Sequence, residues 1–426
     1  MRIWLIKLGE PLPIDASNAR LFRTGMLAEE LARQGHEVVW WTSSVNHAEK
    51  KQRADQDSVV AQSDRYRIQI LYGRMYHKNV SLQRIRHHRE VACAFLRHAS
   101  ELRPPDAIVS ALPTTEVCAA AVRYGRARGV PVLLDVRDLW PDLIAESAPR
   151  CLRWAARCVL AGMFREVRFA CRNATGIIGV TRRYVEWALN YAARGWGPWD
   201  SEIPMAYKSA QLGQEAREAA DRFWERCRVP SRPGQLVACF FGAFGDQFDM
   251  ATVLRAARKL ARKGRDIRFV LCGSGPKLGH FREMASGLDN VVFSGWIGAG
   301  EISALMERSS LGLAPYANRR NFVYNVANKP IEYWSAGLPI VYSLREGALY
   351  DILCEHNVGV TYTCGDPDDL TSVLCRLDDD RTSIEPMRRN ALRLFRERYT
   401  SEIVLNKYIA HIQAVVETHH AAAPQT

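Results

Sequence analysis

Apolar residues occur along this chain in two alternating patterns. Some form short continuous runs, as in strands buried on both faces, and others recur every three or four positions, as along one face of a helix. Residues 2–8 are the first run, and a loop to about residue 18 leads into a predicted helix over 20–34, where Leu21, Phe22, Met26, Leu27 and Leu31 fall at helical spacing. Gly35 ends that helix, and residues 36–43 form a second run. Strand, helix and strand in that order make a parallel unit of right-handed connection. Further runs at 68–72, 107–110, 130–135 and 176–180, separated by helical patterns, extend the unit into a doubly wound sheet within the first 200 residues.

A second set begins at 236–241, passes through a helix over 250–263, and continues with strands at 267–271, 291–293, 311–315 and 340–342. The predicted fold class is therefore α/β, with two Rossmann-like doubly wound domains facing each other across a cleft. The expected boundaries are 1–200 for the first domain, 201–234 for a linker rich in Gly, Pro and charge with a helix near 214–227, and 235–398 for the second domain. A final helix over 399–420 either completes the second domain or crosses back to the first.

With 426 residues, 47% hydrophobic and 24% charged, the chain is long and apolar enough for two cored domains. Its 11 cysteines are scattered and never form C-x-x-C, which gives no spacing for a disulfide framework or a zinc site and implies a reducing compartment. The opening apolar run is too short for a signal-peptide core, and no stretch approaches the roughly 20 apolar residues of a spanning helix. A cytoplasmic protein is expected.

Charge changes the picture, because residues 1–200 hold 30 Lys and Arg against 20 Asp and Glu, ten of the net +12. One basic run is Arg65, Arg67, Arg74, Lys78, Arg84, Arg86, Arg89 and Arg97, interleaved with His77, His87 and His88; a second is Arg150, Arg153, Arg157, Arg165, Arg168 and Arg172. This asymmetry points to an anionic partner for the first domain. On a continuous helix over 150–172, Leu152, Ala156, Val159, Leu160, Met163, Phe164 and Val167 would share one side with arginines beside it, as in a helix lying among lipid headgroups. The same pattern also fits a core helix with a solvated basic edge. No nucleic-acid-binding motif accompanies the charge.

Chemistry is sought in the loops that follow strands, where open parallel sheets bind ligands. After 236–241 come Gly242, Ala243, Phe244 and Gly245, and after 267–271 come Gly273, Ser274 and Gly275. Glycines there let the backbone approach a pyrophosphate, although neither loop matches G-x-G-x-x-G or a P-loop, which disfavours a dehydrogenase or a P-loop NTPase. The most informative stretch is 325–340. Pro330 suits a helix's first turn and Gly337 its end, so a short helix is predicted with Asn328 and Lys329 at its N-terminus. Lys329 can pair with a diphosphate there, and Glu332 one turn along can accept two ribose hydroxyls.

Residues 293–297 (Phe, Ser, Gly, Trp, Ile), 301–306 (Glu, Ile, Ser, Ala, Leu, Met), 311–316 (Leu, Gly, Leu, Ala, Pro, Tyr) and 328–340 resemble, in this order and spacing, the donor half of glycosyltransferase family 4. In the first half, 35–38 (Gly, His, Glu, Val), 134–142 (Leu, Asp, Val, Arg, Asp, Leu, Trp, Pro, Asp) and 177–182 (Ile, Ile, Gly, Val, Thr, Arg) resemble the branch that builds bacterial O-antigen, capsule and exopolysaccharide. The resemblance implies a GT-B fold and a retaining sugar transfer from a nucleotide-sugar donor, without cofactor or metal ion. It also implies a lipid-linked saccharide acceptor and a peripheral place on the inner face of the plasma membrane, held there by anionic lipid.

Carried over residue by residue, Glu332 matches the ribose-binding glutamate. Trp296 and Ile297 stand where the base is cradled, and Gly242, Phe244, Gly273, Gly275, Asn328 and Lys329 complete the donor set. Arg137, Asp138 and Lys329 are the expected catalytic residues, and Gly9, Asn18 and Arg20 the expected acceptor contacts. The chain departs from the family where Tyr324 replaces the usual first glutamate, and where Asp246 and Asp249 follow Gly242 in place of a frequent Arg and Lys, leaving Lys329, Arg319 and Arg320 to neutralise the diphosphate. Two other functions share the architecture: a nucleotide-sugar 2-epimerase, and a non-catalytic homologue acting as an assembly partner.

Overall fold

The computed structural model describes residues 1–15, 20–209, 212–229 and 234–422, which divide into two units: 1–204 with 404–422, and 205–403 apart from its undescribed positions. The first unit is built on an eight-stranded sheet. Its strands are β1 (Arg2–Ile6), β2 (Glu37–Ser43), β5 (Ser58–Ser63), β6 (Tyr66–Leu71), β7 (Ala107–Ala111), β8 (Val132–Val136), β9 (Gly176–Gly179) and β10 (Ser201–Glu202), in the spatial order β10-β9-β8-β7-β1-β2-β6-β5. A small hairpin of β3 (Val45–Asn46) and β4 (Lys51–Gln52) stands apart. All neighbours in the large sheet are parallel except the edge strand β5, which runs antiparallel to β6.

Strand order reverses between β1 and β7, so the residues just beyond both strands line the crevice where such sheets bind ligands. The interior strands are mostly apolar because helices cover both faces, with Ser110 and Asp135 as buried polar exceptions on β7 and β8. Trp4 and Trp41, side by side on β1 and β2, meet Phe95 and Tyr124 at ring-centroid distances of 5.0–6.2 Å and fill one of those faces.

The second unit carries β11 (Leu236–Phe241), β12 (Ile267–Cys272), β13 (Val291–Gly295), β14 (Leu311–Ala314), β15 (Ile340–Tyr342) and β16 (Gly359–Thr361), all parallel, in the order β13-β12-β11-β14-β15-β16. This is the doubly wound order, with its reversal between β11 and β14.

Two helices differ from the periodicity, and the one expected near 214–227 is present and belongs to a core. The first helix is Arg23–Arg33, beginning three residues later than its apolar spacing suggests. The stretch read as a linker contains the helix Gln214–Arg226, whose Ala220 and Trp224 are buried in the second unit's core, with the Trp224 indole N–H donating to Glu301 O at 2.9 Å. The helix expected over 150–172 is broken. A 3-10 turn Arg150–Leu152 leads to the helix Arg153–Val159, none of whose residues is buried, and after Leu160 the helix Ala161–Asn173 sinks Met163, Phe164 and Val167 into the core. The final helix Ser401–Ala422 lies with the first unit from Val404 onward, and its Tyr408 ring sits 4.7 Å beneath the Arg23 guanidinium.

Candidate functional site

In the second unit the expected donor residues gather at the reversal between β11 and β14. Phe241 ends β11 and Gly242 turns the chain, its N–H donating to Cys272 O at 2.9 Å. Gly273 follows β12 so closely that a Cβ there would stand 1.9 Å from Gly242 O, and a Cβ on Gly275 would stand 2.4 Å from Phe244 O. Both glycines have positive φ (+133° and +153°), so any side chain would force the two turns apart.

From β14 the chain reaches the helix Asn328–Ser335. Pro330, Ile331, Glu332, Tyr333 and Trp334 are all buried, which leaves Asn328 and Lys329 at the half-buried N-terminal end. Tyr333 anchors the helix: its hydroxyl lies 3.2 Å from both Cys239 O and Leu313 O, on the two strands flanking the reversal. No side chain caps the helix at Ala327. The Lys329 ammonium donates to Phe241 O and lies 4.9–5.5 Å from the centroids of Phe240, Phe241 and Phe248. A cation from position 329 is thereby fixed against the glycine turn at 242.

Other donor-side residues lie in different surroundings. The Phe244 side chain is core, with its ring 5.7–6.0 Å from those of Phe240, Phe281 and Phe293, so this residue can meet a ligand only through its backbone. Trp296 and Ile297 point apart: Trp296 is 77% exposed, whereas Ile297 is buried in the core. Glu332 is buried, one turn from Lys329. Asp249 caps the helix Met250–Arg262 by accepting from Thr252 N, and also accepts from Gly365 N at 2.9 Å, while Asp246 pairs with Lys277. Arg319 and Arg320 are exposed, Arg319 as the residue preceding the helix Arg320–Tyr324.

In the first unit, the loop after β8 carries Arg137 and Asp138. Arg137 belongs to a buried ionic network. Its Nε donates to Asp135 Oδ2 at 2.7 Å, and its Nη1 reaches Glu10 and, at 2.9 Å, Thr24 Oγ1. Arg23, fully buried, donates to the same Asp135 at 3.0 Å, and Glu10 accepts from Thr24 N and Oγ1. Burial pushes the Asp135 carboxyl up, but the Arg137 and Arg23 guanidiniums outweigh it and hold its pKa at about 2. Arg23, Thr24 and Glu10 were not picked out from the sequence. The available signal was Arg23 lying four and eight residues before Leu27 and Leu31, on the apolar face of its helix.

Asp138 behaves differently. Burial raises its pKa against the opposing charges of Lys7 and Arg84, and its Oδ1 accepts from Leu139 N at 2.7 Å. Lys7, the first residue beyond β1, spans the reversal by donating to Leu112 O, the first carbonyl beyond β7, at 2.9 Å, and burial lowers its pKa to about 8. His88 is buried beside them, 3.4 Å from Glu116 and 3.3 Å from Arg84 Nε. His87 and His88 are thus interior groups and not part of a basic surface run. Gly9 turns at φ +80° beside His47, Arg20 is exposed, and Asn18 lies outside the described residues.

Against known proteins, residues 235–380 match the family model described as glycosyl transferases group 1, and residues 22–198 match the glycosyl transferase 4-like domain. No curated protein sequence matches the chain. Among solved structures, sucrose-phosphate synthase from Thermosynechococcus elongatus superposes with a TM-score of 0.70 at 15% identity, over 99% of this chain and 100% of that one. HepE from Anabaena, solved with UDP and glucose, gives 0.65 at 13% over 97% and 100%. WaaG, a glycosyltransferase involved in lipopolysaccharide biosynthesis, gives 0.63 at 15% over 96% and 99%. At these identities the likeness is one of fold.

Proposed function

The chain belongs to glycosyltransferase family 4, with two Rossmann-like domains of the GT-B type, and from that premise we propose that it is a retaining hexosyl- or N-acetylhexosaminyltransferase using a nucleotide-sugar donor. Its acceptor is a saccharide on an undecaprenyl-diphosphate-type lipid, in the assembly of a bacterial surface polysaccharide such as lipopolysaccharide or capsule. The observation that carries the donor reading is the convergence of the Gly242, Gly273 and Gly275 turns with Lys329 at the end of β11.

Backbone N–H groups of the turns and of the helix Asn328–Ser335 receive the diphosphate, with Asn328 and Lys329 nearest it. Glu332 takes the ribose hydroxyls, and the exposed Trp296 ring offers a face to the base. As the sugar departs, the leaving diphosphate accepts the proton of the incoming hydroxyl on the same face. Lys329 and the helix N-terminus stabilise the growing charge, the part that a divalent cation would otherwise take. No carboxylate pair of the glycosidase kind is required. In the first unit, Asp138 and Lys7 at the β1/β7 reversal orient the acceptor, with Gly9 and Arg20 at the neighbouring loop, while Arg137 positions that loop through Asp135 and Glu10. Exposed arginines hold the protein at the inner face of the plasma membrane.

The test is nucleoside diphosphate release from a panel of nucleotide-sugars in the presence of bacterial lipid extract, with and without EDTA. Release with at least one donor, indifferent to EDTA, is expected; silence across the panel overturns the transferase reading. Glu332→Ala should weaken nucleotide binding by tenfold or more, about 1.4 kcal/mol, with an unchanged melting temperature. Equal calorimetric affinity would remove Glu332 from the site.

A further inference from the structure

Beside the β1/β7 reversal the first unit has an almost wholly apolar cavity of about 290 Å³. Its walls come from three separate places: Leu82 and Ile85 at the start of the helix Leu82–Glu101, Trp140 in the loop after β8, and Ala156 and Val159 on the helix Arg153–Val159. The floor is a packed cluster in which Ile85, Trp140, Ile144 and Ala156 lie against Leu160 and Phe164.

The lip is equally apolar and faces solvent: Leu82 is 74%, Val159 72% and Val80 55% exposed. Single exposed apolar residues are ordinary, but an apolar cavity ringed by several of them marks a binding surface. At about 30 Å³ for each water-sized group, the cavity has room for roughly ten such groups, a short length of hydrocarbon.

The polar residues of this wall are Asn79, Ser81 and Arg84, of which Arg84 carries the charge. The Arg84 guanidinium lies 4.4 Å from the Trp140 ring centroid and 5.6 Å from that of Tyr76, and its hydrogen bonds go to Asn79 O at 2.7 Å and His88 Nε2 at 3.3 Å. Among the described residues it forms no ion pair. The sequence neighbours of the lip add Lys78, Arg150 and Arg153, all exposed. An apolar slot with a cation in its wall and a basic rim is complementary to an amphiphile that has an anionic head directly on a hydrocarbon chain.

Resting on the reading of a lipid-linked acceptor, we infer that this groove holds the first segment of the acceptor's hydrocarbon chain, with the phosphate next to it paired to Arg84. The groove opens on the same carboxyl edge of the sheet as Lys7 and Asp138, because Trp140 and Asp138 share the loop after β8. A lipid seated there leaves its sugar at the strand ends, where the acceptor hydroxyl is needed.

The test is calorimetric binding of farnesyl phosphate, farnesol and inorganic phosphate to the full chain, alongside flotation with vesicles of phosphatidylglycerol and phosphatidylcholine. Farnesyl phosphate should bind, and inorganic phosphate should not compete with it. Val159→Asp, at an exposed position that folding does not need, should weaken farnesyl phosphate and farnesol alike by about tenfold or more. Arg84→Gln should weaken farnesyl phosphate while sparing farnesol. Farnesyl phosphate affinity unchanged in Val159→Asp overturns the assignment, as does vesicle binding that needs Val159 without any binding of farnesyl phosphate, which would make the patch a bilayer anchor. If farnesyl phosphate binds as expected but no lipid acceptor is glycosylated, the acceptor reading falls while the groove stands. If transfer to lipid proceeds but farnesyl phosphate does not bind, only the groove falls.

Discussion

Single residues at two places carry more than their type suggests. Gly273 holds the turns of the proposed donor site together because nothing larger than hydrogen fits 1.9 Å from Gly242 O. Gly273→Ala must move backbone at the proposed donor site, and a shift of about 1 Å at a reacting centre costs on the order of a hundredfold in rate. Glycosyl transfer should fall by that order while circular dichroism keeps its native shape; near-normal turnover would show that the turns are not under that constraint. Asp135 is the second such residue, fully buried between Arg23 and Arg137. Asp135→Asn leaves two guanidiniums in the interior with less opposing charge and should destabilise the first unit by about 3 kcal/mol or more, read as a shift in its urea midpoint.

At the scale of the element, the helix Asn328–Ser335 is only eight residues long, too short to be stable by itself. Packing supplies what local propensity lacks. Its inner face is Ile331, Tyr333 and Trp334, and the Tyr333 ring lies on Gly312, where a Cβ would come within 2.4 Å of it. Tyr333→Phe removes the hydroxyl bonded to two buried carbonyls and should cost about 1–2 kcal/mol. Because the helix also carries Lys329, assigned to the diphosphate in the proposed function, the same substitution should raise KM for the donor more than it lowers kcat. An unchanged KM would mean that the helix holds its place without this anchor.

Across the first unit, buried bases set the response to acid. Burial, reinforced by neighbouring Arg84 and Lys50 at His47 and by His88 at His87, lowers both imidazoles to about 4 from the ordinary 6.5. The folded state therefore keeps them neutral where the unfolded chain is already protonated. Their stabilising contribution is complete above pH 6.5 and is lost as pH falls towards 4. Asp135 titrates later, since a carboxyl held at about 2 contributes above 3.8 and loses its contribution as pH falls from there. Urea midpoints followed through hydrogen exchange of the first unit should decline from pH 6.5 downward, with net uptake of protons on unfolding. His87→Asn, which keeps a donor near Arg74 O, should flatten that slope; an identical slope would place the titration elsewhere.

Periodicity alone determined the two doubly wound sheets, because strands buried on both faces must be apolar throughout and the helices between them must be apolar on one side. The glycine turns and the short helix at 328 were legible for a similar reason: Gly and Pro impose local backbone constraints that need no partner to be recognised. What lay beyond sequence was pairing at long separation. Lys329 meets the turn at 242, Glu10 meets Arg137, and Lys7 meets Leu112, in each case because parallel crossovers bring distant strand ends to one edge of a sheet. The run at 150–172 shows the same limit. Its helical spacing is continuous in sequence, yet the core takes Leu160, Met163, Phe164, Val167, Ala170 and Cys171 and leaves Leu152, Trp154 and Val159 outside, so tertiary packing alone decided which half stayed exposed.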